Sequence, residues 1–256
     1  MISIDLWQAV LIAMVGIAGG FFNVVAGGGS LLTVPSLLFL DCSGPVANGT
    51  NRIAILSQNV TAAYTFFLNG YRNWRLSLTL AIATIPGAIF GAYVGTRLDG
   101  KWFDYIVAAV MLAVMASMAV PTKSSDVLGS EDIPLKISPS RLLAGHAAMV
   151  FVGLWGGFIQ IGIGFIIMPV MHKILGLDLV SANMNKTFII AVYTLAALLV
   201  FANNVELEWV LGLFLAFGMA LGGMIGAKAS ISFGGAFIKL ILFMALSLMI
   251  VKLIFL

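Results

Sequence analysis

The chain has 256 residues, 61% of them hydrophobic and only 9% charged, with a mean hydropathy of +1.12. A soluble domain covers its surface with roughly a quarter charged residues, so the main solvent here must be lipid. The net charge of +3 is scattered and forms no basic run, which excludes nucleic-acid binding, and the single Cys42 excludes an intrachain disulfide.

Taken in chain order, the opening MISIDLW holds an acid and no Lys or Arg. A cleaved signal peptide starts with a basic region, so the segment from Asp5 onward reads as a retained span. Apolar runs fall at 5–26, 30–40, 45–68, 76–96, 103–120, 142–160, 163–175, 180–202, 209–230 and 237–256. With about 20 apolar residues needed per crossing, the chain holds about eight to ten membrane segments and is all-α. One connection is polar: 121–141 carries Lys123, Asp126, Glu131, Asp132 and Lys136 among Gly129, Pro134 and Pro139. It reads as a solvated linker between a first transmembrane repeat, 1–120, and a second, 142–256.

The two halves align with each other. GGFFN at 19–23 answers GGFIQ at 156–160, and the glycine-rich AGGGS at 26–30 answers IGIG at 161–164. Each stretch leads to a proline, Pro35 or Pro169, and sixteen residues later to Asn51–Arg52 or Asn185–Lys186. Trp74 then opens a span with Gly87, Gly91 and Gly95, and Trp209 one with Gly218, Gly222 and Gly226. The register holds at a shift of about 134–135 residues from the prolines onward.

Runs 30–40 and 163–175 are too short for full spans, reaching only about 16–20 Å against a hydrocarbon core of about 30 Å. Each follows a glycine break, so each half reads as a helix, an unwound stretch and a half-helix near the midplane. Paired interrupted segments of this kind point to a transporter's substrate site. With an odd number of crossings per half the repeats are inverted. Arg72, Arg75, Lys123, Lys136, Arg141, Lys173, Lys228 and Lys239 then share one side, and Arg97, Lys101 and Lys252 the other. That bias orients both termini outside.

Arg52 and Lys186 lie about seven residues inside long apolar runs, at equivalent repeat positions. A charge at that depth costs about 2.5–3.5 kcal/mol on insertion scales. Arg offers a planar fork and Lys a point charge, both suited to an oxyanion. Asn51 and Asn185 can donate further hydrogen bonds. The stretches around Gly28, Gly29 and Ser30, and around Gly162 and Gly164, expose backbone N–H groups at positive half-helix ends. Gly27, Pro35 and Pro169 are the expected hinge positions. The competing view is structural: the cations pair with buried carbonyls, or with Asp41 and Asp178 near the half-helix ends. Removing them would then unfold the chain; on the functional view Arg52→Ala abolishes transport in a folded protein. No acid lies at comparable depth, which disfavours cation transport and leaves proton or other ion coupling without an evident carrier.

The glycine ladders have small-xxx-small spacing and read as helix packing. Gln58, Asn59 and Tyr64 continue the Arg52 helix, as path lining or packing. His146 and His172 have no ligand at metal spacing, so no metal or cofactor is expected. Trp7, Trp74, Trp102 and Trp209 sit at run ends, as an aromatic belt requires.

The segments GGFFNVVAGGGSLLTVPSLLFL at 19–40, VANGTNRIAI at 46–55, GGFIQIGIGFIIMPVM at 156–171 and SANMNKTFII at 181–190 resemble the sulfite exporter TauE/SafE family, also called DUF81 or TSUP. The resemblance covers nearly the whole chain. It implies transport of sulfite, sulfonates and related sulfur-containing organic anions across a bacterial or archaeal inner membrane. It also implies a duplicated four-span plan, which differs from the odd crossing count. The second copy has IGIG where the first has GGGS, so the half-sites cannot contribute identically. The expected function is secondary transport of a small anion by alternating access. A passive anion channel is the first rival, and a membrane-embedded enzyme a weak second because no general base lies beside the cations.

Overall fold

The computed structural model describes residues 6–98, 100–103, 105–106, 109 and 137–255, with 235–255 described by backbone alone. The linker residues 121–136 and most of the run 103–120 lie outside the described residues. Among the described residues the fold is all-helical, without strands. The first half holds α1 (Leu6–Val25), α2 (Ser30–Leu38), α3 (Gly44–Leu68) and α4 (Trp74–Gly95). The second holds α5 (Pro139–Phe158), α6 (Ile163–Pro169) with a π-helical turn at Val170–Ile174, α7 (Leu179–Asn204) and α8 (Trp209–Phe255). Helix α5 starts at Pro139, so its first turn comes from the stretch read as linker.

Local chemistry sets the boundaries. Helix α1 stops before Gly27, whose φ of 81° no side chain tolerates well, and α2 restarts at Ser30. In the second half the break falls at Gln160 (φ 61°) and Gly162 (φ 71°). Both expected half-helices are therefore present. Ser138 and Asp178 cap α5 and α7: the Asp178 carboxylate accepts from the N–H groups of Val180 and Ser181, each at 2.9 Å. Gly234 (φ 67°, ψ −165°) breaks α8 between the runs expected at 209–230 and 237–256.

Helices Leu6–Val25, Trp74–Gly95, Pro139–Phe158, Leu179–Asn204 and Trp209–Gly234 are long and apolar enough to cross a bilayer. The surface is apolar, and polar and charged side chains are buried within a largely apolar core. Leu6, Met14, Phe39, Phe90, Phe151 and Phe217 are exposed, whereas Asn48, Arg52, Gln58, Asn183 and Lys186 are buried. Water would reward the opposite arrangement; lipid rewards this one.

The halves exchange partners. Helix α4 packs along α5 of the other half, and α8 along α1. At the first seam, a Cβ on Gly87, Gly91 or Gly95 would strike the carbonyls of Val150, Leu154 and Phe158, and one on Gly153 or Gly157 would strike Thr84 and Ala88. At the second, Gly218 and Gly222 lie against the carbonyls of Ala13 and Ile17, a Cβ on Gly226 would lie 3.0 Å from that of Phe21, and one on Gly16 2.7 Å from that of Leu215. By these contacts the ladders correspond one helical turn closer than the tryptophans do. Helix α3 is central, packed on α7 and α8. It runs antiparallel to α7: Gly49, near its start, meets Phe201, while Trp74 just past its end meets Phe188 with ring centroids 5.4 Å apart. The first unwound stretch crosses the start of α6 at Gly27 and Gly164, where a Cβ on Gly27 would lie 2.5 Å from the Gly164 Cα.

Candidate functional site

Arg52 and Lys186 each sit about two turns into their helices, α3 and α7, and both side chains are closed off, at 0% and 1% exposure. Arg52 reaches across to the C-terminal end of α5. Its Nη1 donates to the Gly156 carbonyl at 2.9 Å and to Gln160 Oε1 at 3.4 Å. Its Nη2 donates to the Gly157 carbonyl and, at 3.3 Å, to Asn48 Oδ1. The Phe201 ring covers the guanidinium at 4.5 Å. Asn48 also donates to the Phe158 carbonyl at 2.8 Å, and Gln160 Nε2 donates to Thr194 Oγ1 at 2.7 Å.

Lys186 makes the reciprocal contact. Its Nζ donates to the carbonyls of Asn23 (3.2 Å) and Val24 (2.6 Å), at the C-terminal end of α1. Each cation thus holds the broken helix of the opposite half, where the helix dipole is negative and carbonyls lack helical partners. Neither has a carboxylate partner among the described residues. The partners suggested for them are placed otherwise: Asp178 caps α7, and Asp41 occupies a turn with φ 60°.

Of the remaining expected residues, Gly27 and Gly164 meet at the crossing, and Gly28 faces the Phe165 ring. The Gly29 N–H donates to Asn23 Oδ1 at 3.3 Å, and buried Ser30 starts α2. Gly162 precedes α6, and Pro35 and Pro169 lie within the half-helices. Asn185 faces α4 instead of its neighbouring lysine: its Oδ1 accepts from Ser77 Oγ at 2.7 Å, and its Nδ2 donates to the Ser181 carbonyl. Buried Asn51 has no partner for its Oδ1.

Asn48, Asn23, Gln160 and Thr194 were not singled out from sequence as site residues. The first lies one turn before Arg52, and the next two end the matched GGFFN and GGFIQ motifs, which was the available signal. His146 and His172 bond to backbone carbonyls of Leu142 and Leu177. No metal-binding cluster occurs among the described residues. Cys42, in the loop between α2 and α3, is buried, and burial beside Glu208 and Asp41 pushes its thiol up to about 11. It is therefore a neutral, unreactive thiol at physiological pH.

An apolar exterior, buried polar groups that include two cations, and paired broken helices define a multi-pass membrane protein. The chain belongs to the sulfite exporter TauE/SafE family, whose pattern matches residues 12–253. It is 27% identical to a probable membrane transporter protein of Haemophilus influenzae, over 93% of this chain and 90% of that one. It is 23% identical to the probable membrane transporter protein YfcA of Escherichia coli, over 94% and 87% of the two chains. A third relative, the probable membrane transporter protein YunE of Bacillus subtilis, is 22% identical over 85% and 86%. No solved structure matches the chain. The family and these relatives place it among membrane transporters.

Proposed function

We propose that the chain is a secondary transporter of a small anion, of the sulfite or organosulfonate class, in the cytoplasmic membrane. The observation that carries this reading is the pair of buried cations, each compensated by helix-end carbonyls and side-chain amides and by no carboxylate among the described residues. Two positive charges in a low-dielectric interior favour an anion strongly. The proposed site holds Asn51, Arg52, Asn185 and Lys186, with backbone donors around Gly28, Gly29, Ser30, Gly162 and Gly164. Gly27, Pro35 and Pro169 act as hinges.

The geometry suggests how binding couples to movement. An anion reaching Arg52 or Lys186 competes with the carbonyls that those cations hold. Displacing the carbonyls frees the ends of α5 and α1 and, through the Gly27–Gly164 crossing, the half-helices beyond them. Alternating access then follows as one repeat moves against the other. The antiparallel run of the equivalent helices α3 and α7 supports inverted repeats, 1–120 and 142–256, and the distribution of Lys and Arg supports both termini outside. Closure around both cations favours a carrier over an open channel.

Proteoliposomes test the reading. Labelled sulfite or a short sulfonate should enter saturably, faster when unlabelled substrate is present on the far side. Arg52→Ala and Lys186→Ala should each abolish the flux. Unchanged flux in either variant sinks the site, and flux without saturation sinks the carrier.

A further inference from the structure

Buried donors without acceptors mark where a ligand's negative charge can sit. By that measure the two cation surroundings differ. Around Arg52 both terminal nitrogens are engaged, Gln160 Nε2 is taken by Thr194, and the Phe201 ring lies against the guanidinium. Among the described residues, the Arg52 Nε–H alone is left without an acceptor there.

Around Lys186 more donors remain. An ammonium carries three N–H groups, and two acceptors, the Asn23 and Val24 carbonyls, face it. The adjoining amides have their orientation fixed from one end. The Gly29 N–H donates to Asn23 Oδ1, so Asn23 Nδ2 points to Gln58 Oε1 at 2.6 Å. That leaves Gln58 Nε2 without an acceptor, on a side chain 0% exposed. The Thr33 hydroxyl on α2, equally buried, has no partner either. Its Cγ2 lies 2.7 Å from where a Cβ on Gly19 would stand, beside the same break between α1 and α2. The other unpartnered atoms, on Asn51, Asn59 and Asn183, are carbonyl acceptors that an anion cannot use.

We propose that the Lys186 side is the half-site that touches the anion, with Gln58 Nε2, the Thr33 hydroxyl and the spare Lys186 N–H binding the oxygens of a small oxyanion. Arg52 supplies positive charge from the opposite side while it clamps the end of α5. The two repeats have thus diverged into a ligand side and a clamp side. This inference rests on the anion-carrier reading above.

The test uses the purified full chain, its melting temperature measured with and without sodium sulfite and sodium methanesulfonate, since a ligand of the folded state raises it. Gln58→Glu keeps the oxygen that Asn23 needs and replaces the free amide donor by a second carboxyl oxygen, whose negative charge when ionised repels an anion. Thr33→Val is close in shape and removes only the hydroxyl. Gln58→Glu should lose the anion-induced shift while melting near wild type without anion. Thr33→Val should raise the anion Kd several-fold. Arg52→Lys should melt lower but keep an anion-induced shift. A full shift in both Gln58→Glu and Thr33→Val overturns the half-site and leaves the carrier reading intact. So does an Arg52→Lys protein that melts like wild type yet no longer responds. If Gln58→Glu does not fold, Thr33→Val decides. If neither anion shifts the wild type, the carrier reading fails and the half-site with it.

Discussion

The glycine seams and the cation cradles are both duplicated, yet only the seams have stayed alike. On each seam a row of glycines brings one backbone against the other half's carbonyls, Gly87 and Gly91 on α5, Gly218 and Gly222 on α1. The cradles keep a cation at the same repeat position but change nearly every partner. Arg52 has four acceptors and an aromatic cover, while Lys186 has two backbone carbonyls. Steric approach between helices tolerates one answer, the absence of a side chain. Compensation of a buried charge tolerates several, so the chemistry was free to drift where the geometry was not.

The largest effects should fall on the seams. Gly91→Ala and Gly222→Ala both force a methyl into a facing carbonyl, and each should destabilise the chain by about 3 kcal/mol. Thermal melting in detergent checks this, and a marked difference between the two would break the equivalence of the seams. The cradles should respond unequally. Arg52→Met leaves two helix-end carbonyls and the oxygens of Asn48 and Gln160 unpaired, at a cost of about 3–5 kcal/mol. Lys186→Met leaves two carbonyls and should cost about 2 kcal/mol. Equal losses in chemical denaturation would mean that the cradles have not diverged.

Smaller changes sharpen the contrast. Thr194→Val removes the acceptor that holds Gln160, and should lower stability by about 1 kcal/mol in the same assay. Least affected of all is Cys42. With its thiol held up to about 11, only about one molecule in a thousand is thiolate at pH 8. Maleimide labelling should be near background in the folded chain and rise on unfolding; fast labelling of folded protein would contradict its burial.

Much of this fold was legible in the sequence. The breaks, expected at 26–30 and 161–164, the short helices after them and the repeat positions of Arg52 and Lys186 all follow from glycine placement and spacing, although the second break falls slightly earlier, at Gln160 and Gly162. What was not legible is who touches whom. A repeat tells which segments are equivalent, and both a self-contained half and an exchanged one satisfy it; α4 on α5 and α8 on α1 is a tertiary choice. The cation partners were hidden for another reason. Asp41 and Asp178 are visible letters, whereas the acceptors observed, the carbonyls of Gly156, Gly157, Asn23 and Val24, belong to the backbone that every residue shares. Asn185 illustrates the same limit. Its place beside Lys186 in the chain puts it on another face of α7, where Ser77 binds it.

The exchange of partners between halves has a consequence for how the protein is made. Helix α1 emerges from the ribosome before the other described helices, but its glycine-lined face is matched by α8, which emerges after all of them. While the helices between them are made, that face must wait in the bilayer, sheltered by lipid or by the insertion machinery. A chain cut short after the linker would lack the partners of both α1 and α4. Quality control in the membrane should therefore treat half-length products as orphans, and two separately expressed halves should survive only when made together.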